Sequence, residues 1–335
     1  MKKGILLVNL GTPDSPSTIN VRKYLTEFLN DPRVIDINAV GRFLLVNGII
    51  VPFRAPKSAK LYRAIWTQEG SPLLIHTKNL TDKVRAQLGD DYVVEYAMRY
   101  QSPSIASALD KLREAKVSSI TVLPLYPHYA SSSSGSTIEK VMKELEKWEV
   151  IPEVKIISKF YDNEGYMNAF VEKGQKHDIS QYDHVIFSYH GLPERHIKKG
   201  SVHYGSDYCQ LGKCCNTLTK SNQFCYRANC FYTTRELVKR LNIPENKYTT
   251  TFQSRLNNKW IKPYSDSVIE DLAKNGAKKI LVFSPAFVAD CLETIYEIGT
   301  EYQEIFHEHG GEKVDLVESL NDSDTWVKAV VEMVR

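Results

Sequence analysis

Neither common glycine pattern for cradling phosphate occurs in this chain. No GxGxxG opens a helix after a strand-like run, and GxxxxGK[ST] is missing, so a nucleotide site of either kind has no support. An excess of one charge is missing too: 43 Lys+Arg against 40 Asp+Glu leave +3, which gives no field arguing for nucleic acid as a partner. Long apolar runs are scarce. The opening "MKKGILLVNLGTPD" sets two lysines before an apolar run, but the run has about half a signal peptide's length and ends in Gly, Pro and Asp rather than a cleavage site. Cytoplasmic residence is the expectation. The longest apolar patch, "FLLVNGIIVPF" at 43–53, falls short of the roughly 20 residues that span a bilayer. It remains open as a membrane-surface contact peripheral to the inner membrane, an apolar lip over a ligand, or a helix-loop packed on the core. Cysteine is sparse and uneven, with five of six in the stretch 209–230.

What is present is ordinary globular material, 42% apolar and 25% charged over 335 residues, enough for two domains of common size. Strand-like runs alternate with helix-like ones: "GILLVNL" (4–10), "NVRKYLTEFL" (20–29), "YVVEYAM" (92–98), "SIASALDKLREA" (104–115), "SITVLPLY" (119–126), "STIEKVMKELEKW" (136–148). The second half restarts with "HVIFSYH" (184–190), "TTRELVKRL" (233–241), "YTTTFQS" (248–254), "SDSVIEDLAKNG" (265–276) and "KKILVFSPAFV" (279–288). The alternation predicts an α/β fold of two lobes, each a parallel sheet covered by helices. "ILLVNLGTP" (5–13) and "VIFSYHGLP" (185–193) share strand, Gly and Pro at one offset, which sets Leu10 opposite His190. This repeat suggests a cleft between matching strand tips; chance likeness of buried strands is the alternative. A hinge is expected near 150–180, dividing the chain into 1–160 and 161–335. "TWVKAVVEMV" (325–334) reads as an amphipathic helix that packs on either lobe.

Within "FSYHGLPERH", His190 follows an apolar strand and precedes a Gly-Leu-Pro turn. It therefore sits at a strand's carboxyl end, the edge where α/β sheets form ligand crevices; a hydrogen-bonded core histidine fits the same pattern. Further on, "DCLETIYEIGTEYQE" (290–304) places Glu293, Glu297 and Glu301 at i, i+4 and i+8, one helical face, and residues 289–304 contain no basic side chain. An uncompensated acidic row suits a path for a cation or for protons; the plain alternative is a solvated face. "LYPHYASSSSGST" (125–137) offers hydroxyls and amides near a helix start, suited to an anionic group, or is simply a polar loop. Arg54, Tyr62, Arg63 and Ser71 stand beside apolar residues. That mixture suits a large flat ligand carrying carboxylates, which Arg pairs bidentately.

Taken in order, "VNLGTP", "MRYQSP", "PLYPHYASSSSGST", "FSYHGLPERH", "TFQSRLNNKW" and "FSPAFVADCLET" resemble the ferrochelatases, in particular the protoporphyrin-using bacterial branch, over nearly the whole chain. The resemblance implies two Rossmann-type lobes and insertion of Fe²⁺ into protoporphyrin IX, the terminal step of haem synthesis. It matches His190 to the active-site histidine and Glu293 to its partner carboxylate, with Glu297 and Glu301 continuing the acidic row for substrate iron or protons. It matches Arg54 and Ser71 to propionate-holding positions, and Leu10, Tyr62, Arg99, Tyr129, Ser136 and Trp260 to pocket positions or their neighbours. The chemistry agrees: two pyrrole protons must leave and Fe²⁺ must lose water, and an imidazole of ordinary pKa about 6.5 accepts a proton while carboxylates relay it or hold the ion briefly. Two departures stand out. Cys291 occupies a place where many members have a second histidine, and Leu10 one where the coproporphyrin-using branch usually has Tyr. A chelatase for another tetrapyrrole and metal, and a non-catalytic haem or porphyrin carrier, are the rival readings; oligomeric state is not legible.

The segment "CQLGKCCNTLTKSNQFCYRANC" (209–230) holds Cys209, Cys214, Cys215, Cys225 and Cys230. Such density without an export signal argues for metal, since cytosolic thiols stay reduced and thiolates select zinc or iron–sulfur clusters. The spacing lacks the C-x₂-C pairs of common zinc sites, and buried or redox-paired thiols are the alternative. Because some ferrochelatases carry a [2Fe–2S] cluster on an internal cysteine-rich segment, and clusterless ones often keep a cysteine where Cys230 stands, the resemblance favours Cys209, Cys214, Cys215 and Cys225 as its ligands.

Overall fold

Five apolar or small residues in a row, Gly4 to Val8, are buried on strand β1 (Lys3–Gly11) without alternation between its two faces, the burial expected of a parallel sheet with helices on either side. The computed structural model describes residues 1–201 and 208–335. Its first compact unit comprises 1–126, 131–159 and 322–335. There β1 leads through α1 (Thr18–Leu29) into a continuous helical run made of α2 (Ala39–Leu44), a π-helical turn Leu45–Ile50 and α3 (Val51–Ile65). After these come α4 (Pro72–Leu88), β2 (Tyr92–Tyr100), α5 (Ile105–Glu114), β3 (Ser119–Pro124), a π-helical turn Ser131–Gly135, α6 (Ser136–Leu145) and β4 (Glu153–Ile156). The sheet order is β2-β1-β3-β4, all parallel. Leu6, Val8, Ala97, Leu109, Leu112, Val122 and Val141 form the core between one face and helices α5 and α6.

The second unit, 127–130 and 160–321, repeats the plan. It contains α7 (Glu164–Gly174), β5 (His184–His190), α8 (Glu194–Ser201), α9 (Tyr226–Arg240), β6 (Tyr248–Gln253), α10 (Ser265–Lys274), β7 (Lys279–Phe283), a π-helix Glu293–Tyr302, α11 (Gln303–Glu308) and β8 (Lys313–Leu316). Its order, β6-β5-β7-β8, is again parallel. The repeat goes deeper than the matched motifs. Strands β2 and β6 are each followed by a non-glycine residue in the left-handed region, Gln101 (φ 68) and Ser254 (φ 61). Each strand also takes a hydrogen bond to a proline carbonyl beyond that point, Met98 N to Pro103 O and Phe252 N to Pro263 O.

The chain passes from the first unit to the second at 159/160, within the expected 150–180, and just before it Glu153–Ile156 is the edge strand of the first sheet. Several expectations are corrected. The serine run is no loop but a helical turn leading directly into α6. The C-terminal helix α12 (Asp324–Val334) belongs to the first unit, whereas a single cut at 160 assigns it to the second. Finally, the apolar patch 43–53 lies inside one helical run, Ala39–Ile65, of 27 residues with mean hydropathy 1.2 over its most apolar window, long and apolar enough to cross a membrane by length and composition. Val51, Ala55, Ser58, Ala59, Tyr62 and Ile65 nevertheless give its second half a buried face, set against α1.

Candidate active site

At the tip of β5 the backbone around His190 is fixed on every side. The Gly191 N–H donates to the Gln253 carbonyl at 2.8 Å, and Gln253 is the residue paired with His190 across β6. The Leu192–Glu194 turn is laced to the chain at Lys259–Ile261 through Ile261 N to Leu192 O (3.0 Å) and Glu194 N to Lys259 O (2.9 Å). This brings the Trp260 ring to 6.5 Å from the His190 ring, and Phe287 stands at 6.4 Å. His190 Nδ1 lies 2.7 Å from the Gly191 carbonyl oxygen. A carbonyl only accepts, so in the neutral ring Nδ1 carries the hydrogen and Nε2 carries the lone pair. The imidazole is thus set in the tautomer of a proton acceptor.

Only glycine fits at 191. A Cβ there would sit 2.6 Å from the Gln253 carbonyl oxygen and 3.2 Å from the Trp260 ring, and the backbone contact cannot rotate away. Gly191→Ala is therefore expected to destabilise the chain by about 2 kcal/mol and to cut activity more than stability alone explains, because the shift falls on the peptide next to His190. Urea melts alongside turnover at a temperature where both chains are folded test this; an unperturbed melt would sink it.

The acidic row stands on a π-helix rather than an α-helix. A π-helix closes i→i+5 bonds and has a longer turn than the 3.6 residues of an α-helix, so a spacing of four remains near one full turn and the carboxylates still share a face. Their mutual influence shows it. Burial pushes the Glu297 carboxyl up to about 7; hydrogen bonds from Ser254 and Gln253 oppose that rise, and neighbouring Glu293 and Glu301 reinforce it. Burial also raises Glu301, helped by Glu304.

Ser254 Oγ is 2.9 and 2.7 Å from the two Glu297 oxygens. Gln253 Nε2 donates to Glu297 at 3.0 Å and to the Glu293 carbonyl at 3.2 Å. Holding Ser254 at φ 61 costs about 1 kcal/mol, a strain placed where the hydroxyl is aimed at this carboxylate. Neither Gln253 nor Ser254 stands out as a site residue in the sequence. The available signal is position, since both lie at the carboxyl end of β6, beside β5.

The remaining candidates fall into three groups. In the first unit, Leu10 is half-buried at the tip of β1 and Arg54 is exposed on α3, making no ion pair with another described residue. Tyr62 packs edge-on against Tyr24 and Trp66, and buried Ser71 accepts from the Thr12 hydroxyl at 2.8 Å. Arg99 and Ser136 are engaged inward: Arg99 pairs with buried Asp31 at 2.6 Å, and Tyr100 and Ser136 also donate to that carboxylate. In the second unit, Tyr129 is edge-on to Phe224 at 5.7 Å.

The third group is the thiols. Burial raises Cys209, with Cys214 and Cys215 adding to the rise. Burial likewise pushes Cys225 up to about 11; an amide hydrogen bond from Ala228 opposes this, and Cys215, Cys209 and Cys214 add to it. These four are neighbours. Cys230 is fully buried in α9, beside the Tyr226 hydroxyl and close enough to Cys225 for the two thiols to influence each other. Among the described residues no three His, Cys, Asp or Glu converge to hold a single metal ion.

The ferrochelatase family model matches residues 2–335. A ferrochelatase of Legionella pneumophila (strain Lens) is 46% identical, covering 100% of this chain and 99% of that protein; one of Coxiella burnetii (strain Dugway 5J108-111) is 43% identical, covering 100% and 93%. Among solved structures, SirB from Bacillus subtilis with Fe³⁺ superposes with a TM-score of 0.56 at 13% identity over 100% of this chain and 95% of that one. The sirohydrochlorin chelatase SirB from Bacillus subtilis subspecies spizizenii in complex with cobalt gives 0.53 at 12%, over 100% and 94%. At such identity the structural likeness is one of fold. Full-length matches at this level of identity, on a chain whose two parallel sheets present a histidine and a row of glutamates at one lobe's strand tips, place it in the ferrochelatase family.

Proposed function

We infer that this chain inserts Fe²⁺ into protoporphyrin IX to make protohaem. The observation that carries the reading is His190, held with Nε2 as the accepting nitrogen, in the same lobe as a carboxylate that titrates near neutrality. Each turnover releases two pyrrole protons as two nitrogen–iron bonds replace two N–H bonds, with no electron transferred. His190 takes up a proton at Nε2. Glu297, half-protonated near pH 7, accepts and passes protons along the face it shares with Glu293 and Glu301. Trp260 and Phe287 supply apolar surface beside the imidazole, and a rigid wall of this kind holds a macrocycle bent so that its nitrogen lone pairs face the metal. Arg54, exposed and without an ion-pair partner among the described residues, is the propionate cation of this scheme. The exposed apolar side chains Val40, Phe43, Leu44, Ile49 and Phe53 support a peripheral membrane contact for the helix that carries it.

Anaerobic incubation with protoporphyrin IX and Fe²⁺, followed by absorbance, is expected to give the haem spectrum with turnover. Tight porphyrin binding without metalation would mark a carrier; indifference to protoporphyrin would mark a chelatase for another tetrapyrrole.

The cysteine segment supports a [2Fe–2S] cluster held by Cys209, Cys214, Cys215 and Cys225. In such a centre each iron takes two thiolates, so the donor set is two pairs rather than three groups about one point, and four neighbouring thiols fit it. Cys225 immediately precedes α9 and Arg227 donates to Cys215 Sγ, which sets a cation beside the four thiols. When bound, the cluster supplies a cross-link within the segment and a one-electron redox centre. Protein purified without oxygen is expected to be reddish-brown, with iron and sulfide in equal amounts and an absorbance that dithionite bleaches. A colourless chain with zinc or no metal would refute the cluster.

A further inference from the structure

Four consecutive residues carry the cysteine segment to the site. Phe224 sets its ring edge-on to Tyr129 at 5.7 Å. Cys225 begins α9. The Tyr226 hydroxyl donates to the His190 carbonyl at 2.9 Å. Arg227 forks, one nitrogen on Cys215 Sγ and the other on the Lys262 carbonyl at 3.2 Å, two residues beyond Trp260, while its guanidinium lies 4.4 Å over the Phe231 ring.

We propose that Tyr226 is a positioning residue for His190, and that through it the first turn of α9 makes iron insertion answer to the state of Cys215 and Cys225. This rests on the ferrochelatase reading. The peptide joining His190 to Gly191 is clamped at both ends, its carbonyl by Tyr226 and its N–H by the Gln253 carbonyl. The very next carbonyl, that of Gly191, holds the His190 ring by Nδ1. Releasing one end of that clamp lets the peptide rock, and with it the carbonyl that fixes the tautomer and aim of the imidazole. Because Tyr226 adjoins Cys225 and Arg227 touches Cys215, a change at either sulfur displaces the turn from which the clamp hangs.

The test compares Tyr226→Phe with Tyr189→Phe in the full chain. Tyr189 hydrogen-bonds Thr234 at 2.9 Å in the same lobe, so its variant loses an equivalent buried hydroxyl bond, one that does not reach the His190–Gly191 peptide. One such bond leaves a chain of this size folded. Tyr226→Phe is expected to lower kcat about tenfold with KM for protoporphyrin within about twofold, while Tyr189→Phe stays near wild type. Cys225→Ser is expected to lower kcat as well, and the Cys225→Ser/Tyr226→Phe double variant to fall no further than the weaker single one, because both act through one contact. Unchanged kcat in Tyr226→Phe, or equal losses in the two tyrosine variants, would overturn the positioning role; additive losses in the double variant would overturn the link to the cysteines. Iron insertion by the wild-type chain, measured alongside, keeps any of these distinct from a failure of the ferrochelatase reading.

Discussion

His190→Ala is expected to bind protoporphyrin within about tenfold of the wild-type chain and to insert essentially no iron. The two quantities separate because they draw on different atoms. Affinity for a flat macrocycle comes mostly from apolar area and propionate contacts, which the substitution leaves alone. The barrier falls when a positioned base takes up a pyrrole proton, an effect of about 10²–10⁴ in rate, and His190 is the imidazole whose Nδ1 is committed to the Gly191 carbonyl so that Nε2 is left basic. Porphyrin fluorescence quenching gives the affinity, and anaerobic turnover gives the rate. Turnover above a tenth of wild type would remove His190 from the proton step.

Glu297→Gln is expected to make the chain more stable and less active at once. The folded state raises this carboxyl to about 7 from an ordinary 4.5. Between those values the folded chain therefore holds a proton that the unfolded chain has released, so stability falls as pH rises through the window and stays low above about 7. Glutamine carries no charge to desolvate. The variant should gain on the order of 2 kcal/mol at pH 8 and almost nothing near pH 4.5, somewhat less than the full linkage because its amide faces the Gln253 amide. Its iron insertion should fall about a hundredfold, since an amide keeps the shape but moves no proton. Urea melts at pH 5 and pH 8 read the first part; equal differences at both pH values would mean that Glu297 is not a buried proton holder.

The lobes were legible because buried parallel strands leave apolar runs, and because β1 and β5 end in the same Gly-x-Pro device. His190 was legible for the same reason, as a polar residue where an apolar strand stops. The row Glu293, Glu297, Glu301 could be read from its spacing, but its helix type could not, since four residues approximate one turn of either helix. Gln253 and Ser254 escaped notice because their role is made by two non-local facts, the pairing of β6 with β5 and a left-handed backbone that no serine announces. Tyr226 escaped for a similar reason: its partner is a backbone carbonyl 36 positions away. The serine run misled by composition, since hydroxyl-rich stretches favour turns only where nothing packs over them, and here Ser134, Ser136 and Thr137 are buried.

The place of α12 has a consequence for the order of synthesis. Trp326, Val327, Val330, Val331 and Val334 bury themselves in the first unit, against α4 and β3. That unit's strands leave the ribosome early, yet the last pieces of its interior are translated only after all of 160–321. A nascent chain can close the second unit while the first still exposes the apolar bed that α12 will cover, so the half begun first is finished last, and for that interval its unfilled bed is the surface most exposed to aggregation and to chaperones.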